Sequence, residues 1–496
     1  MTMGRGFDMS HVAFDTFSEG LPPARLTPSQ RIELVCDPGS THVIRSRVRS
    51  RRIGERAEEG DGVVAASGVV QGRPVFCFAQ DARFVGGSLG EAQAETIVRV
   101  LSLAEDAGVP VVGLVESAGA RFQEATAALS GYGRIFRQTV RLSTRVPQVS
   151  VISGVSAGGG SYAPALTDFV VMTKSAKMFL TGPGVVQAAI GEDVTLEELG
   201  GWGVHARNGV AQFVVPTEID AAFLVRELLS YLPQNSAEDP PEAEPEDPIG
   251  ANPGAHVPRD TQRVYDVRDV VREIVDGGKL LEVSPRWARN MVTGFARLDG
   301  RSVGIVANQP HYLGGVIDSW ASEKAARFVH TCDKFRLPIV ALVDTPGFMP
   351  GSREERRGVI RHGAGLLRAF AGATVPRLTV VLRSAYGGAY ITMNSKDLGA
   401  DFAFAWPRAR IGIMAAQQAV SIIARRDIAA APDPESHRLR LAEDYAAEHQ
   451  NAHAAAREGF IDEVIGPDEA RSRLCGALKL LAGKRRFPSR AFGRPH

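Results

Sequence analysis

The chain repeats itself. GRPV at Gly72 returns as GRSV at Gly300, a shift of 300 − 72 = 228 residues. The pair Gly86-Gly87 returns as Gly314-Gly315, again 314 − 86 = 228. VPVVGLVES, from Val109, matches LPIVALVDT, from Leu337, at 337 − 109 = 228; VPQVSV, from Val146, matches VPRLTV, from Val375, at 375 − 146 = 229. Four landmarks in one order at a near-constant offset identify an internal duplication. Two similar folded units are expected, since 496 residues exceed one ordinary core.

Each half reads with the same grammar. A short apolar strand (VFCFAQD; VGIVANQ) runs into the Gly-Gly turn, then a helix (EAQAETIVRVLSLAEDAG; SEKAARFVHTCDKF). A buried strand, a Gly-containing loop and a second helix follow (ATAALSGYGRIFRQTVRL; IRHGAGLLRAFAG). Strands alternating with helical periods predict an α/β fold with crossovers.

In both halves a further strand then meets a paired-glycine turn: SAGGGSYAP at 156–164 and SAYGGAY at 384–390. Where a strand gives way to a helix, the first helical amides lack intrahelical acceptors and the dipole is positive. Such a point stabilises an anion, either a phosphate or an oxyanion developing on a carbonyl. Neither turn has the GxxxxGK[ST] of a P-loop or the GxGxxG of a dinucleotide fold. A short glycine pair suits an oxyanion hole better. The plainer reading is close packing of helix on strand; two corresponding turns in a duplicated chain weigh against it.

Hydrophobic residues make up 44% and charged residues 23%, the balance of a soluble protein, and the net charge of +1 gives no general pull toward nucleic acid or membrane. No window of 18 unbroken apolar residues occurs, and the N-terminus lacks a charged start with an apolar run, so a cytoplasmic protein is expected. The four cysteines, Cys36, Cys77, Cys332 and Cys475, form no CxxC pair and read as incidental thiols; no metal site is expected. NSAEDPPEAEPEDPIGANPGAHVPRD, 235–260, has almost nothing to bury and reads as a linker. The expected division is a tail over 1–24, a first domain over 25–234, the linker, and a second domain over 261–496.

Longer runs carry a family resemblance: FAQDARFVGGSLG, SAGGGSYAPALTDF, FLTGPGVV and EDVTLEELGG in the first half, and KAARFVHTCDKFRLPIVALVDTPGFMPG, ATVPRLTVVLRSAYGGAY and FAWPRARIGIM in the second. Over roughly 25–485 the chain resembles the carboxyltransferase (β) subunits of biotin-dependent acyl-CoA carboxylases, the propionyl- and acetyl-CoA carboxylase type. The resemblance implies two tandem crotonase-like domains, each a ββα spiral, in a hexamer whose sites join the first domain of one subunit to the second of another. It implies carboxyl transfer from carboxybiotin to the α-carbon of an acyl-CoA, with biotin's ureido nitrogen as base. Gly158 and Gly159 would hold the thioester oxygen; Gly388 and Ala389 would hold the biotin carbonyl. Ala118, Gly119, Ala120, Arg121, Ala157, Tyr162 and Ile391 would line the acyl-CoA site; Phe348, Tyr386 and Gly387 would stand on the biotin side. An apolar residue at Ile391 leans toward acetyl-CoA or relaxed choice. No AMKM-like biotinyl-lysine motif and no ATP-binding Gly-rich loop occur, so biotin is expected in trans on a biotin carboxylase/carrier (α) subunit.

The chain departs from the family pattern at Glu116, Ala118, Ala125, Gly365, Ala415, Gln417 and Gln418. These put ordinary substrate choice in doubt and leave two alternatives: a malonyl- or methylmalonyl-CoA decarboxylase, or a weakly active scaffold subunit. The run HVIRSRVRSRR, 42–52, fits a solvated helix face, with a contact to CoA phosphates as the alternative. His362 is expected to pack and Asp344 to cap a loop rather than act as a base.

Overall fold

The computed structural model describes residues 26–484; the tail expected over 1–24 lies outside the described residues. Two eight-stranded sheets follow one another along the chain. The first holds β1 (His42–Ile44), β2 (Val63–Val70), β3 (Arg73–Gln80), β4 (Val111–Ser117), β5 (Gln148–Ala157), β6 (Phe169–Thr173), β7 (Lys177–Phe179) and β8 (Phe213–Val215). The second holds β9 (Leu281–Glu282), β10 (Met291–Leu298), β11 (Arg301–Asn308), β12 (Ile339–Thr345), β13 (Arg377–Tyr386), β14 (Phe402–Ala405), β15 (Arg410–Gly412) and β16 (Glu463–Val464).

Their orders are the same. The first runs β1-β2-β3-β4-β5-β6-β8 with β7 on β5, and the second β9-β10-β11-β12-β13-β14-β16 with β15 on β13. In each unit a short edge strand and a hairpin pair antiparallel, β1-β2-β3 and β9-β10-β11, and the strands from β4 and β12 onward add in parallel. The starts of β4 and β12 differ by 339 − 111 = 228, the offset read in the sequence.

Both expected helices form in each half: α1 (Pro28–Val35) precedes α2 (Glu91–Ala107) and α3 (Thr126–Leu142), and the second half has Ser319–Lys334 and Val359–Gly372. Glu124 Oε2 accepts the N–H of Glu91 at the start of α2, and Glu354 Oε2 accepts that of Ser319 at the corresponding helix start. A carboxylate at a helix N-terminus satisfies an orphan donor and complements the dipole.

The halves share a core. Phe295 of β10, fully buried, meets Phe169 at a centroid distance of 5.9 Å, Phe328 at 5.1 Å and Tyr231 at 6.0 Å. Each such ring contributes roughly 1.5–3 kcal/mol by burial. Residues 235–260 form no strand or α-helix and are bonded to the second half: Ala243 N donates to Gly300 O at 2.9 Å, and Arg336 pairs with Asp239 at 2.7 Å.

The arginine-rich run corrects one expectation. It is not a helix: 42–44 form β1, paired antiparallel with Ser67, Ala66 and Ala65, and the rest is loop. Arg45, Arg49 and Arg52 pair with Glu95, Glu59 and Glu91. The four cysteines are free thiols, yet Cys36 and Cys77, 41 residues apart, stand Sγ to Sγ at 4.0 Å in the core.

Candidate active site at two corresponding turns

β5 ends at Ala157 and α4 (Gly159–Ala165) begins two residues on, with Gly158 between them. β13 ends at Tyr386 and the helix Gly387–Thr392 follows at once. Gly158 has φ 55° and Gly387 φ 58°, at a sequence offset of 387 − 158 = 229. Only glycine takes this conformation cheaply, so the chain turns sharply from strand to helix at the same place in both halves. At that offset Gly159 corresponds to Gly388 and Gly160 to Ala389.

The amides of the two turns are differently placed. Gly158 N donates to Phe179 O at 3.0 Å, across the β5–β7 edge. Gly159 and Gly160 are the first two residues of α4, and Gly388 and Ala389 lie in the first turn of theirs, so none has an intrahelical acceptor. Gly388 is exposed, Gly158 and Gly159 are half-buried, and Ala389 is buried.

The loop after β4 brings a second segment to the first turn. Leu89 N donates to Gly119 O at 2.8 Å and Arg121 N to Leu89 O at 3.0 Å. After β12, Ile317 N donates to Gly347 O at 3.0 Å and Met349 N to Ile317 O at 2.8 Å, the same lacing in the second half. Ser117 Oγ accepts Gly119 N–H at 3.2 Å, as Thr345 Oγ1 accepts Gly347 N–H at 3.3 Å. A Cβ added at Gly119 would lie 3.5 Å from Ala157 O, which places the loop beside the end of β5.

Most residues expected around the first turn are brought together. Ala118 is exposed, Ala120 and Ala157 half-buried, and Tyr162, on α4, is 52% exposed with its ring edge toward Phe136 at 6.2 Å. Arg121 is the exception. Its side chain is fully buried and bound to Asp61 at 2.6 Å and Glu124 at 2.8 Å, with Ser88 O accepting at 3.0 Å. A substrate contact from Arg121 is therefore withdrawn: two carboxylates consume the guanidinium, and it anchors the loop instead. Burial pushes Asp61 up, against the pull of Arg121.

Around the second turn, the Phe348 ring lies 3.8 Å from a Cβ built on Gly388 and 3.3 Å from one built on Gly363. Ile391, on the turn's helix, is 48% exposed. Tyr386 is buried, which raises its phenol, with Arg410 pulling the other way. Asp344 does not cap a loop but sits buried on β12: it accepts from Tyr265 at 2.8 Å, Arg383 at 3.0 Å and Ser384 N of β13 at 3.1 Å, and burial pushes its pKa up. His362 is half-buried with Nδ1 3.8 Å from Glu323.

The departures fall into groups. Glu116 is buried and paired with Arg31 of α1 at 3.4 Å. Ala125 has φ 47° and ψ −126°, a glycine conformation carried by an alanine. Gly365 faces open space. Ala415, Gln417 and Gln418 line a cleft of about 1420 Å³ with Tyr386, Arg259 and Arg408. Among the described residues no group of three or more His, Cys, Asp or Glu side chains is gathered to hold a metal ion, and no helix is long and apolar enough to cross a membrane.

The chain matches the carboxyl transferase domain model over residues 20–495. It is 47% identical over 477 residues to the propionyl-CoA carboxylase carboxyltransferase subunit of Haloferax mediterranei, covering 93% of this chain and 91% of that one. It is 42% identical over 479 residues to the methylmalonyl-CoA decarboxylase subunit alpha of Propionigenium modestum, covering 95% and 93%. The structure superimposes on that of the transcarboxylase 12S hexamer core, bound to methylmalonyl-coenzyme A, with a TM-score of 0.91 at 44% identity, covering 94% of this chain and 92% of that one. The duplicated crotonase-like fold, the two turns and these matches agree, and the chain belongs to the carboxyl transferase domain family of biotin-dependent acyl-CoA carboxyltransferases.

Proposed function

We propose that this chain moves a carboxyl group from carboxybiotin to the α-carbon of a short-chain acyl-CoA, acetyl-CoA or propionyl-CoA, through a backbone-stabilised enolate. The observation that carries this reading is the pair of corresponding turns with unengaged first-turn amides. The α-proton of a thioester is weakly acidic, so its removal depends on donors already aimed at the enolate oxygen. Gly159, with Gly158 beside it, supplies that hole. Gly388 and Ala389 supply the second, whose exposed entrance fits a ureido carbonyl. Carboxybiotin, delivered in trans on an α subunit, supplies the carboxyl group and, once it has given it up, the base. Side chains of this chain then orient the substrates and exclude water. No metal is required by this scheme.

The proposed domain division is 25–234 and 261–496 about the linker, and the two separate sheets support it. The active assembly is a homo-oligomer, a hexamer of the kind named for transcarboxylase 12S. Support comes from the apolar side chains left uncovered beside each turn. Tyr162 and Leu180 are 52% and 53% exposed by the first, and Ile391 and Ile413 are 48% and 78% exposed by the second. A second copy covering these surfaces would dry both sites.

The decarboxylase is a second reading, favoured by the 42% identity to the Propionigenium modestum protein. Decarboxylation of malonyl-CoA and methylmalonyl-CoA by the purified chain, with and without free biotin, separates the two. Loss of the carboxyl group only with biotin supports the carboxyltransferase. Biotin-independent loss supports the decarboxylase, and no turnover of either substrate points to an unusual acyl group or a scaffold.

A further inference from the structure

Tyr132 lies on α3, and its ring fills the space directly beneath the first turn. A Cβ added at Gly159 would stand 2.7 Å from Cγ and Cδ2 of that ring, so the glycine backbone rests on the aromatic face. The ring is 5% exposed and is itself backed by Phe136, centroids 5.7 Å apart. At its far end, Oη shares a hydrogen with Ser117 Oγ at 3.1 Å. Ser117 Oγ is the atom that accepts Gly119 N–H. One side chain thus touches both segments of the site: the turn through its ring and the loop after β4 through its hydroxyl.

The second half shows what is particular about this. There the ring beneath the turn comes from Phe348, in the loop after β12, and lies farther from Gly388, 3.8 Å from an added Cβ. Phe348 has no hydroxyl, and Thr345 holds Gly347 without an aromatic partner. Both halves thus carry an aromatic ring beneath the turn, and among the described residues the link from ring to loop belongs to the first.

Resting on the carboxyltransferase reading, we propose that Tyr132 is a positioning residue of the thioester site. Its ring sets the height of the Gly159 amide, and its hydroxyl, through Ser117, fixes the Gly119 loop against that turn. Donor placement matters steeply, since a displacement of about 1 Å at a preorganised site costs roughly 100-fold. Burial pushes the phenol to about 12, so it stays a neutral hydroxyl rather than an acid in the reaction.

The test uses the full-length chain, biotin-dependent decarboxylation of methylmalonyl-CoA, thermal melting, and amide hydrogen exchange of the segment 156–162. The variants are Tyr132→Phe, Tyr132→Leu and, as a packing control, Ile135→Ala, 4% exposed on the same helix. Tyr132→Phe is expected to keep kcat within about threefold and raise KM about fivefold, the size of one neutral hydrogen bond. Tyr132→Leu is expected to lower kcat about 50-fold and speed exchange of the turn amides. Ile135→Ala is expected to lower Tm while leaving kcat and turn exchange unchanged. A Tyr132→Leu chain with wild-type kcat and wild-type turn exchange would overturn the proposal. So would an Ile135→Ala chain that loses kcat in step with its Tm. A wild-type chain without turnover refutes the carboxyltransferase reading instead, and the exchange comparison still decides whether Tyr132 orders the turn.

Discussion

Lys334, the last residue of the helix Ser319–Lys334, is paired with Asp168 in the loop that joins α4 to β6 of the other half. Both side chains are largely buried, at 17% and 12% exposure, and Asp168 Oδ2 also accepts Gln148 N at 2.9 Å. The two sheets are thus tied by a desolvated ion pair beside the shared aromatic core. Removing one member leaves a buried lone charge, which costs about 3 kcal/mol or more. Lys334→Ala should lower the melting temperature clearly. The double variant Lys334→Met with Asp168→Asn buries no lone charge and should lose much less. Equal losses in the two would show that the pair does not carry the interface.

The turns make unequal demands on their glycines. A Cβ at Gly159 collides with the Tyr132 ring at 2.7 Å, while one at Gly388 meets Phe348 at an ordinary 3.8 Å. Gly159→Ala must therefore lift the turn, and it should reduce turnover about 100-fold or more, the loss seen on removing an oxyanion donor. Gly388→Ala should assemble normally and stay within about tenfold of wild type. Steady-state kinetics on both, with size-exclusion chromatography to check assembly, decides this; equal losses would show that backbone height is not what matters at the first turn.

The duplication and the placement of both helices in each half were readable because they follow local periodicity and a repeated offset. The turns were readable because glycine pairs are written in the chain. Long-range pairing was not. Arg121 is consumed by Asp61, 60 residues earlier in the chain, and nothing near Arg121 shows that. The run at 42–52 is strongly charged, but its first residues join a sheet edge through Ser67, which overrides any helical pattern. The Cys36–Cys77 approach across 41 residues belongs to the same class. So does the bond from Gly158 N to Phe179, which leaves Gly159 as the unengaged amide of the expected pair.

Ala125 precedes α3 with φ 47° and ψ −126°, in a region that only glycine occupies without strain. The side chain is exposed, so no packing compensates. Strain of about 1–3 kcal/mol exceeds the roughly 0.5–1 kcal/mol of extra entropy that a glycine loses on folding. Ala125→Gly should therefore stabilise the chain by about 1 kcal/mol, read as a higher melting temperature with unchanged assembly. A lower melting temperature would show that the strain is absorbed elsewhere.

Ile391 is half exposed on the helix that begins at the second turn, and the proposed function makes it a side chain of the acyl pocket. One apolar contact discriminates by only about 1–3 kcal/mol. Ile391→Asp should shift the ratio of kcat/KM for methylmalonyl-CoA over malonyl-CoA upward by about tenfold. An unchanged ratio would remove this residue from the specificity argument.

Lys324, in the helix Ser319–Lys334, is buried with its ammonium donating to Trp287 O at 3.0 Å and Met291 O at 2.6 Å. Burial lowers its pKa from 10.5 to about 7, with Glu282 pulling it back up and Arg268 pushing it down. Between these values the unfolded chain holds a proton that the folded chain has released. Stability therefore rises with pH across that window, by at most about 1.4 kcal/mol per pH unit from this group, and the contribution is lost as pH falls through 7. The phenols of Tyr132 and Tyr231, raised from 10.0 to about 12, act from pH 10 upward and in the opposite sense. Lys324→Met should flatten the rise in melting temperature between about pH 7 and pH 9 while lowering stability overall, because two carbonyls lose their donor. Parallel pH profiles for wild type and variant would show that Lys324 keeps its ordinary pKa in the folded chain.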